Sequence, residues 1–270
     1  MKICLLGSGS NGNACFVEAD GRRLLIDAGL GPKILAARLR PLGVAASDLT
    51  DVLLTHEHSD HVRGLASLVK RAPGVVVHAT RGTLTGLDPD IRHRVRVFAT
   101  SRVLKLGDLR VTPFAVSHDG REPVGFRLEG SHSVLGYATD LGSYDDAVVR
   151  ALSGVDALVI ESNHCPVRLA RGPYPQDLKR RVAGPKGHLS NQDSNTLVRA
   201  LLHPGLKYLA FAHLSGVNNT PEEVRATHAP LLAGLGPSAW AVGRRDGAIG
   251  AVSLPSGDPA PPVGQLDLGL

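Results

Sequence analysis

Asp51–Val62 reads DVLLTHEHSDHV. An apolar run, Val52–Leu54, feeds a polar string in which His56, His58, Asp60 and His61 follow one another closely. On an extended segment residues two apart point the same way, so His56 and His58 share a face. Asp60 and His61 lie where the chain turns into a helix, expected over Val62–Lys70, and there they can face a second ion beside the first. Imidazole and carboxylate together suit Zn, Mn or Fe. The plain alternative is a polar loop of satisfied histidines. Four potential ligands converging at a strand end argue against it.

The rest of the chain sets that string in context. It has 270 residues, 12 of them His, against 4% aromatics, so the core must be built from Val, Leu, Ile and Ala. One large domain over residues 1–254 and a loose tail over 255–270 are expected from the length and from the Pro/Gly-rich end. Mean hydropathy is +0.01, and no apolar stretch approaches the roughly 18 residues a membrane span needs. The N-terminal MKICLLGSGSNGNACFVEADG reads as strand and turn rather than a signal peptide. Cys4, Cys15 and Cys165 are scattered and odd in number, which points to a reducing, cytoplasmic setting. The net charge of +5 is compatible with a polyanionic partner.

Alternating apolar residues and turn signals predict hairpins in the first thirty residues, with Asp20-Gly21 as one turn. Helical periodicity appears at Lys33–Leu42, Tyr144–Leu152, Pro175–Val182, Asn191–Leu202 and Pro221–Leu232. Strands are expected over Val75–His78, over most of Arg94–Tyr137, and at Ala157–Glu161 and Lys207–Phe211. Trp240–Val242 and Ile249–Ser253 are read as a closing hairpin. LLIDAG (Leu24–Gly29) and GYATDLG (Gly136–Gly142) echo each other: an apolar strand, then Asp, then Gly. The pattern predicts an α/β (α+β) fold of two mixed sheets packed face to face, with helices outside.

In this order of strings the chain resembles the metallo-β-lactamase superfamily, whose architecture is an αββα sandwich. Asp27 matches the first motif, and His56, His58, Asp60 and His61 the second. His118, Asp140 and His213 match the third, fourth and fifth. The resemblance implies that His56, His58 and His118 hold one divalent ion. Asp60, His61 and His213 hold another, Asp140 bridges them and Asp27 orients ligands. Taken singly, His118 and His213 read equally as strand-end histidines, and Asp140 as a turn former before Gly142. Two ions would lower the pKa of a bridging water and polarise the electrophile, so hydroxide attack is the implied chemistry.

The second half narrows the class of hydrolase. Glu161 ends a buried strand and His188 begins a helix, an order similar to tRNA 3′-processing endonucleases (ribonuclease Z). It implies that His188, backed by Glu161, contacts the scissile phosphate. Between them Arg168, Arg171, Lys179, Arg180, Arg181 and Lys186 surround Tyr174 and outnumber the single acid Asp177. Such a cluster suits a nucleic-acid backbone, although a solvated helix face would look the same. Ser10, Asn11 and Asn13 lie in a Gly-rich loop able to contact phosphate or simply to turn. Asn191 is expected to cap its helix.

The strings GSGSNGNA, LLTHEHSDHVRGL, VSHDGREPVGF, ESNH, GPYPQDLKRR, GHLSNQDS and HLSGVNN closely resemble the YycJ/WalJ family. Membership implies a bacterial cytoplasmic DNA exonuclease of 5′ polarity with a role in repair, using two divalent ions (Mn or Zn, with Fe also suited) and binding no membrane. Cys165 departs from the acid expected after ESNH, which leaves His164 a structural role. Alternatives are an RNA-processing nuclease, a small-molecule thioester hydrolase, or a nucleic-acid-binding regulator with a vestigial site.

Overall fold

The structure is a computed structural model and describes residues 1–100, 102–244 and 246–254. The tail expected over 255–270 lies outside the described residues. Strands β1 (Lys2–Gly7), β2 (Ala14–Ala19) and β3 (Arg22–Ile26) run antiparallel. Helix α1 (Pro32–Leu39) leads to β4 (Asp51–Leu53), and α2 (Ser59–Val62) and α3 (Leu65–Arg71) lead to β5 (Val76–Thr80). After α4 (Arg81–Gly86) and α5 (Pro89–Arg92) comes β6 (Val95–Phe98), and β3 to β6 pair in parallel.

The second half opens as an antiparallel meander: β7 (Leu104–Leu106), β8 (Leu109–Ala115), β9 (Val124–Glu129) and β10 (Val134–Ala138). It continues through α6 (Asp146–Leu152), β11 (Ala157–Glu161), α7 (Pro166–Arg171), α8 (Gln176–Val182) and α9 (Asn191–Leu201). Then follow β12 (Tyr208–Ala212), α10 (Pro221–Leu232), β13 (Trp240–Val242) and β14 (Val252–Ser253). The result is two seven-stranded sheets, β14-β1-β2-β3-β4-β5-β6 and β13-β12-β11-β10-β9-β8-β7.

Period-two alternation sorts the apolar residues into layers. Ile3, Leu5, Leu24 and Ile26 face the other sheet and pack with Phe126, Leu128, Leu135 and Val159. Cys4, Leu6 and Leu25 point outward, against Leu35, Leu39, Leu65 and Leu68 of α1 and α3. On the far side Leu158, Ile160 and Phe211 meet Leu152, Leu197, Val198 and Val224 of α6, α9 and α10. Three apolar seams between four layers make the expected αββα sandwich.

Two expectations are corrected. Trp240–Val242 and Val252–Ser253 do not pair as a hairpin. The first joins β12 in parallel and the second joins β1 antiparallel, so the two close opposite sheets. The helix expected over Val62–Lys70 starts at Ser59 and is broken between α2 and α3. At the break, a Cβ on Gly64 would lie 1.9 Å from the Leu30 carbonyl oxygen, so only glycine lets the two segments touch. Helices α5 and α7 were not foreseen; each is short and begins with a proline, Pro89 and Pro166.

Candidate metal and phosphate site

The candidate residues collect where strands end. Asp27 follows β3, His56 lies beyond β4, Asp140 beyond β10, and His213 follows β12. The backbone of Asp27, Asp140 and His213 is left-handed, at φ 64°, 59° and 55°. Non-glycine residues rarely adopt that region, and where they do the strain commonly accompanies function. Asp140 and His213 line one cleft, and Asp27 lies behind it against His61. Gly29 lets the second motif approach the first, since a Cβ there would lie 1.7 Å from the Asp60 carbonyl oxygen.

Most of the imidazoles are held by one nitrogen. His61 Nδ1 is 2.7 Å from Asp27 Oδ2, His118 Nδ1 is 3.0 Å from the Gly187 carbonyl and His213 Nδ1 is 2.8 Å from Glu161 Oε1. Each of these oxygens accepts, so each Nδ1 carries the proton and each Nε2 offers a lone pair. His56 Nδ1 lies 2.9 Å from Thr55 Oγ1, and that hydroxyl donates in turn to Asp27 at 2.9 Å. His58 is reversed: its Nδ1 approaches His118 Nε2 at 3.3 Å, and its Nε2 lies 3.4 Å from Asp119 Oδ1.

The free atoms converge. Donor atoms of His56, His58 and His118 lie within 4.8 Å of one another, as do those of Asp60, His61 and His213, and those of His56, His61 and Asp140. His56 Nε2, His213 Nε2 and Asp140 Oδ2 are buried with no hydrogen-bond partner among the described residues. Unpaired buried polar atoms are costly, and a cation would satisfy all three. The donor set therefore fits two neighbouring divalent ions. Charge agrees: three carboxylates, Asp140, Asp27 and Asp60, crowd His61, a surplus of negative charge that a divalent cation would neutralise.

Glu161 is fully buried, and its Oε1 accepts from His188 Nδ1 at 2.9 Å as well as from His213. Its Oε2 takes the backbone N–H of Leu141 and of Leu189, both at 3.1 Å. Burial pushes this carboxyl up, but the two histidines outweigh it and hold it well below the usual carboxylate range. His188 thus presents Nε2 to a cleft of about 300 Å³ lined by His58, Asp60, His118, Asp140 and His213, with Ser10, Asn163, Tyr174, Arg181 and Ser215 around them.

Of the basic segment, Arg181 and Tyr174 line that cleft. Arg168 is paired with Glu223 at 2.6 Å, Arg180 with Asp177, and Lys179 donates to the Ala170 carbonyl at 2.8 Å. Arg171 and Lys186 are exposed. In the Gly-rich loop Ser10 reaches the cleft, while Arg63 holds the Asn11 carbonyl. Asn13 turns inward, to Asp60 Oδ2 at 3.1 Å and His61 Nε2 at 2.9 Å.

Asn191 does not cap α9; Ser190 does, through its hydroxyl on the Asp193 N–H. Asn191 is buried and accepts from Ser162 Oγ and Asn219 Nδ2. Asn219 Nδ2 also meets the carbonyls of Ser162 and Asn163, and Asn163 Nδ2 holds the His213 carbonyl at 2.8 Å. This clasp joins the ESNH, HLSNQDS and HLSGVNN strings behind the cleft. His164 is buried beside it and bridges to Ser190, in keeping with a structural role. Sequence reasoning missed Thr55, Asp119, Asn163 and Asn219. Asp119 alone carried a signal, as an acid beside His118.

Comparison with known proteins identifies the family and the fold. The family described as a beta-lactamase superfamily domain matches residues 22–214. The exodeoxyribonuclease YycJ of Bacillus anthracis is 33% identical over 236 residues, covering 86% of this chain and 89% of that protein. The exodeoxyribonuclease WalJ of Streptococcus pneumoniae serotype 2 is 32% identical over 241 residues, covering 86% and 88%. Among solved structures, Zn(2+)-bound PqqB from Methylobacterium extorquens superposes with a TM-score of 0.70 at 20% identity, over 94% of this chain and 100% of that one. That last likeness is one of fold.

Proposed function

The chain belongs to the metallo-β-lactamase superfamily and, within it, to the YycJ/WalJ family of hydrolases, and from this we propose that it is a metal-dependent exonuclease acting on DNA. The observation that carries the reading is the Glu161–His188 pair, directed into the cleft that the metal-ligand set lines. Two divalent ions, when bound, supply an activated water and Lewis acidity at the phosphodiester. We assign His56, His58 and His118 to one ion and Asp60, His61 and His213 to the other, with Asp140 between them. Asp27 holds His61 in the orientation that presents Nε2.

The chain's own residues do the rest. Glu161 keeps His188 Nδ1 occupied, so Nε2 is the atom left for substrate. A protonated Nε2 can donate to a phosphoryl oxygen, or pass its proton to the departing oxygen. Arg181 and Tyr174 face the strand from the cleft wall. We assign Arg168, Arg171, Lys179, Arg180 and Lys186, with Ser10 and Asn11, to further contacts along the nucleic-acid backbone. Polarity from 5′ ends, a place in DNA repair and a bacterial cytoplasmic location rest on the family resemblance. The three unpaired cysteines are consistent with a reducing compartment.

The test is a panel of 5′- and 3′-labelled DNA and RNA strands, each with Mn, Zn or Fe. Stepwise release of mononucleotides from DNA 5′ ends is expected. Preferential cleavage of precursor RNA near its 3′ end would move the chain to the ribonuclease Z class. Thioester hydrolysis without nuclease activity would overturn the reading altogether.

A further inference from the structure

Asp119 belongs to neither proposed ligand trio, yet it touches two members of one of them. Its Oδ1 lies 3.4 Å from His58 Nε2 and 3.4 Å from His118 Nε2. Its Oδ2 accepts from Arg181 Nε at 2.6 Å. His118 is already fixed through Nδ1 on the Gly187 carbonyl, so its Nε2 faces the metal position. His58 differs, because its Nδ1 is the atom turned toward His118 Nε2 and its Nε2 points out to Asp119. Every other histidine of the two trios leans through its far nitrogen on Thr55, Asp27, Gly187 or Glu161. For His58 the group in that place is the Asp119 carboxylate, 3.4 Å away.

The other oxygen reaches a different element. Arg181 stands in the last turn of α8, its side chain 61% exposed, and it lines the cleft. With Nε engaged by Asp119, the two terminal nitrogens of the guanidinium remain for a ligand. A planar guanidinium pinned at Nε offers those nitrogens as a fork matched to a phosphate. The backbone supports the same placement: His188 N–H bonds the Val182 carbonyl at 2.9 Å, tying the end of α8 to the His188 loop.

We propose that Asp119 is a positioning residue that couples the metal ligand His58 to Arg181, and that Arg181 is the clamp for a backbone phosphate adjoining the scissile one. This rests on the nuclease reading for the identity of the phosphate, but the Asp119–His58 link stands apart from it.

The experiment compares Asp119→Ala, Asp119→Asn, Arg181→Ala and the Asp119→Ala/Arg181→Ala double variant. It measures metal affinity by chelator competition, melting temperature, and KM and kcat on single-stranded DNA. Asp119→Ala is expected to weaken metal binding about tenfold or more, as loss of a ligand's hydrogen-bond partner does, and also to raise KM. Arg181→Ala is expected to raise KM while metal affinity stays at the parental value. The double variant should show the KM of Arg181→Ala and the metal affinity of Asp119→Ala. Asp119→Asn keeps one acceptor oxygen and should recover part of one effect. Parental metal affinity in a folded Asp119→Ala, or KM effects that multiply in the double variant, overturn the coupling. If the parent cleaves no nucleic acid, the nuclease reading fails, and the metal-affinity arm still decides the Asp119–His58 link.

Discussion

His188 and His213 share one oxygen of Glu161, at 2.9 and 2.8 Å. The other oxygen receives two backbone N–H groups, so all four neighbours of this carboxylate are donors. An amide cannot replace it, because in either flip its NH₂ would face two donors. Glu161→Gln is therefore expected to cost about 1–3 kcal/mol in stability and to lower kcat by about 10²–10⁴. His188→Asn should lower kcat by a similar factor with metal content retained. Because the two residues act as a unit, the double variant should be little worse than either single one. Multiplying losses, read from kcat in the three variants, would show that they act separately.

Removal of metal should abolish cleavage and lower the melting temperature. The buried atoms His56 Nε2, His213 Nε2 and Asp140 Oδ2 have no hydrogen-bond partner among the described residues and would be left so without a cation. A ligand present at about 100 times its Kd stabilises by about 2.7 kcal/mol. Calorimetry before and after EDTA, and after return of Mn or Zn, measures this. A melting temperature indifferent to the chelator would contradict it.

Asp27→Asn keeps the shape but loses the charge that holds His61 Nδ1 at 2.7 Å and receives the Thr55 N–H and hydroxyl. Metal affinity should fall about 10–100-fold. Chelator competition at neutral pH is the measurement, and unchanged affinity would dismiss a role for Asp27 in aiming His61.

His228 predicts an acid sensitivity remote from the cleft. Buried in α10 against Phe211, it donates from Nδ1 to the Val224 carbonyl, and burial pushes its pKa down to about 4. Above the ordinary value of about 6.5 both folded and unfolded chains carry a neutral ring, and nothing is lost. As pH falls from 6.5 toward 4 the unfolded chain takes the proton first, and stability declines, by about 2 kcal/mol at pH 5. His228→Leu should narrow the gap between melting temperatures at pH 7.5 and pH 5. A gap of parental size would assign the sensitivity elsewhere.

Much of the fold could be read before the structure, because the seams obey period-two and helical patterns. The site was legible wherever its residues are close in sequence: His56, His58, Asp60 and His61 form one string. Asp119 showed only as an acid beside His118, and Asn219 not at all as a site residue, since what defines them is contact with Arg181, and with Asn191 and Ser162, across long stretches of chain. The pairing of β13 and β14 failed for a related reason. Two neighbouring short runs suggest a local hairpin, whereas packing sent each to the edge of a different sheet.

The left-handed backbone at Asp27, Asp140 and His213 bears on how such a protein can evolve. Glycine would occupy these three positions without backbone strain, but at Asp27 and His213 it would strand the buried groups those side chains pair with, Thr55 and His61 at the one and Glu161 at the other, so selection for stability alone would favour it at Asp140. A lineage that lost the need for its reaction should therefore decay first at Asp140 and become harder to melt as it does so. An aspartate at that strand end, where the backbone would suit glycine, is what a chain held to its chemistry should carry.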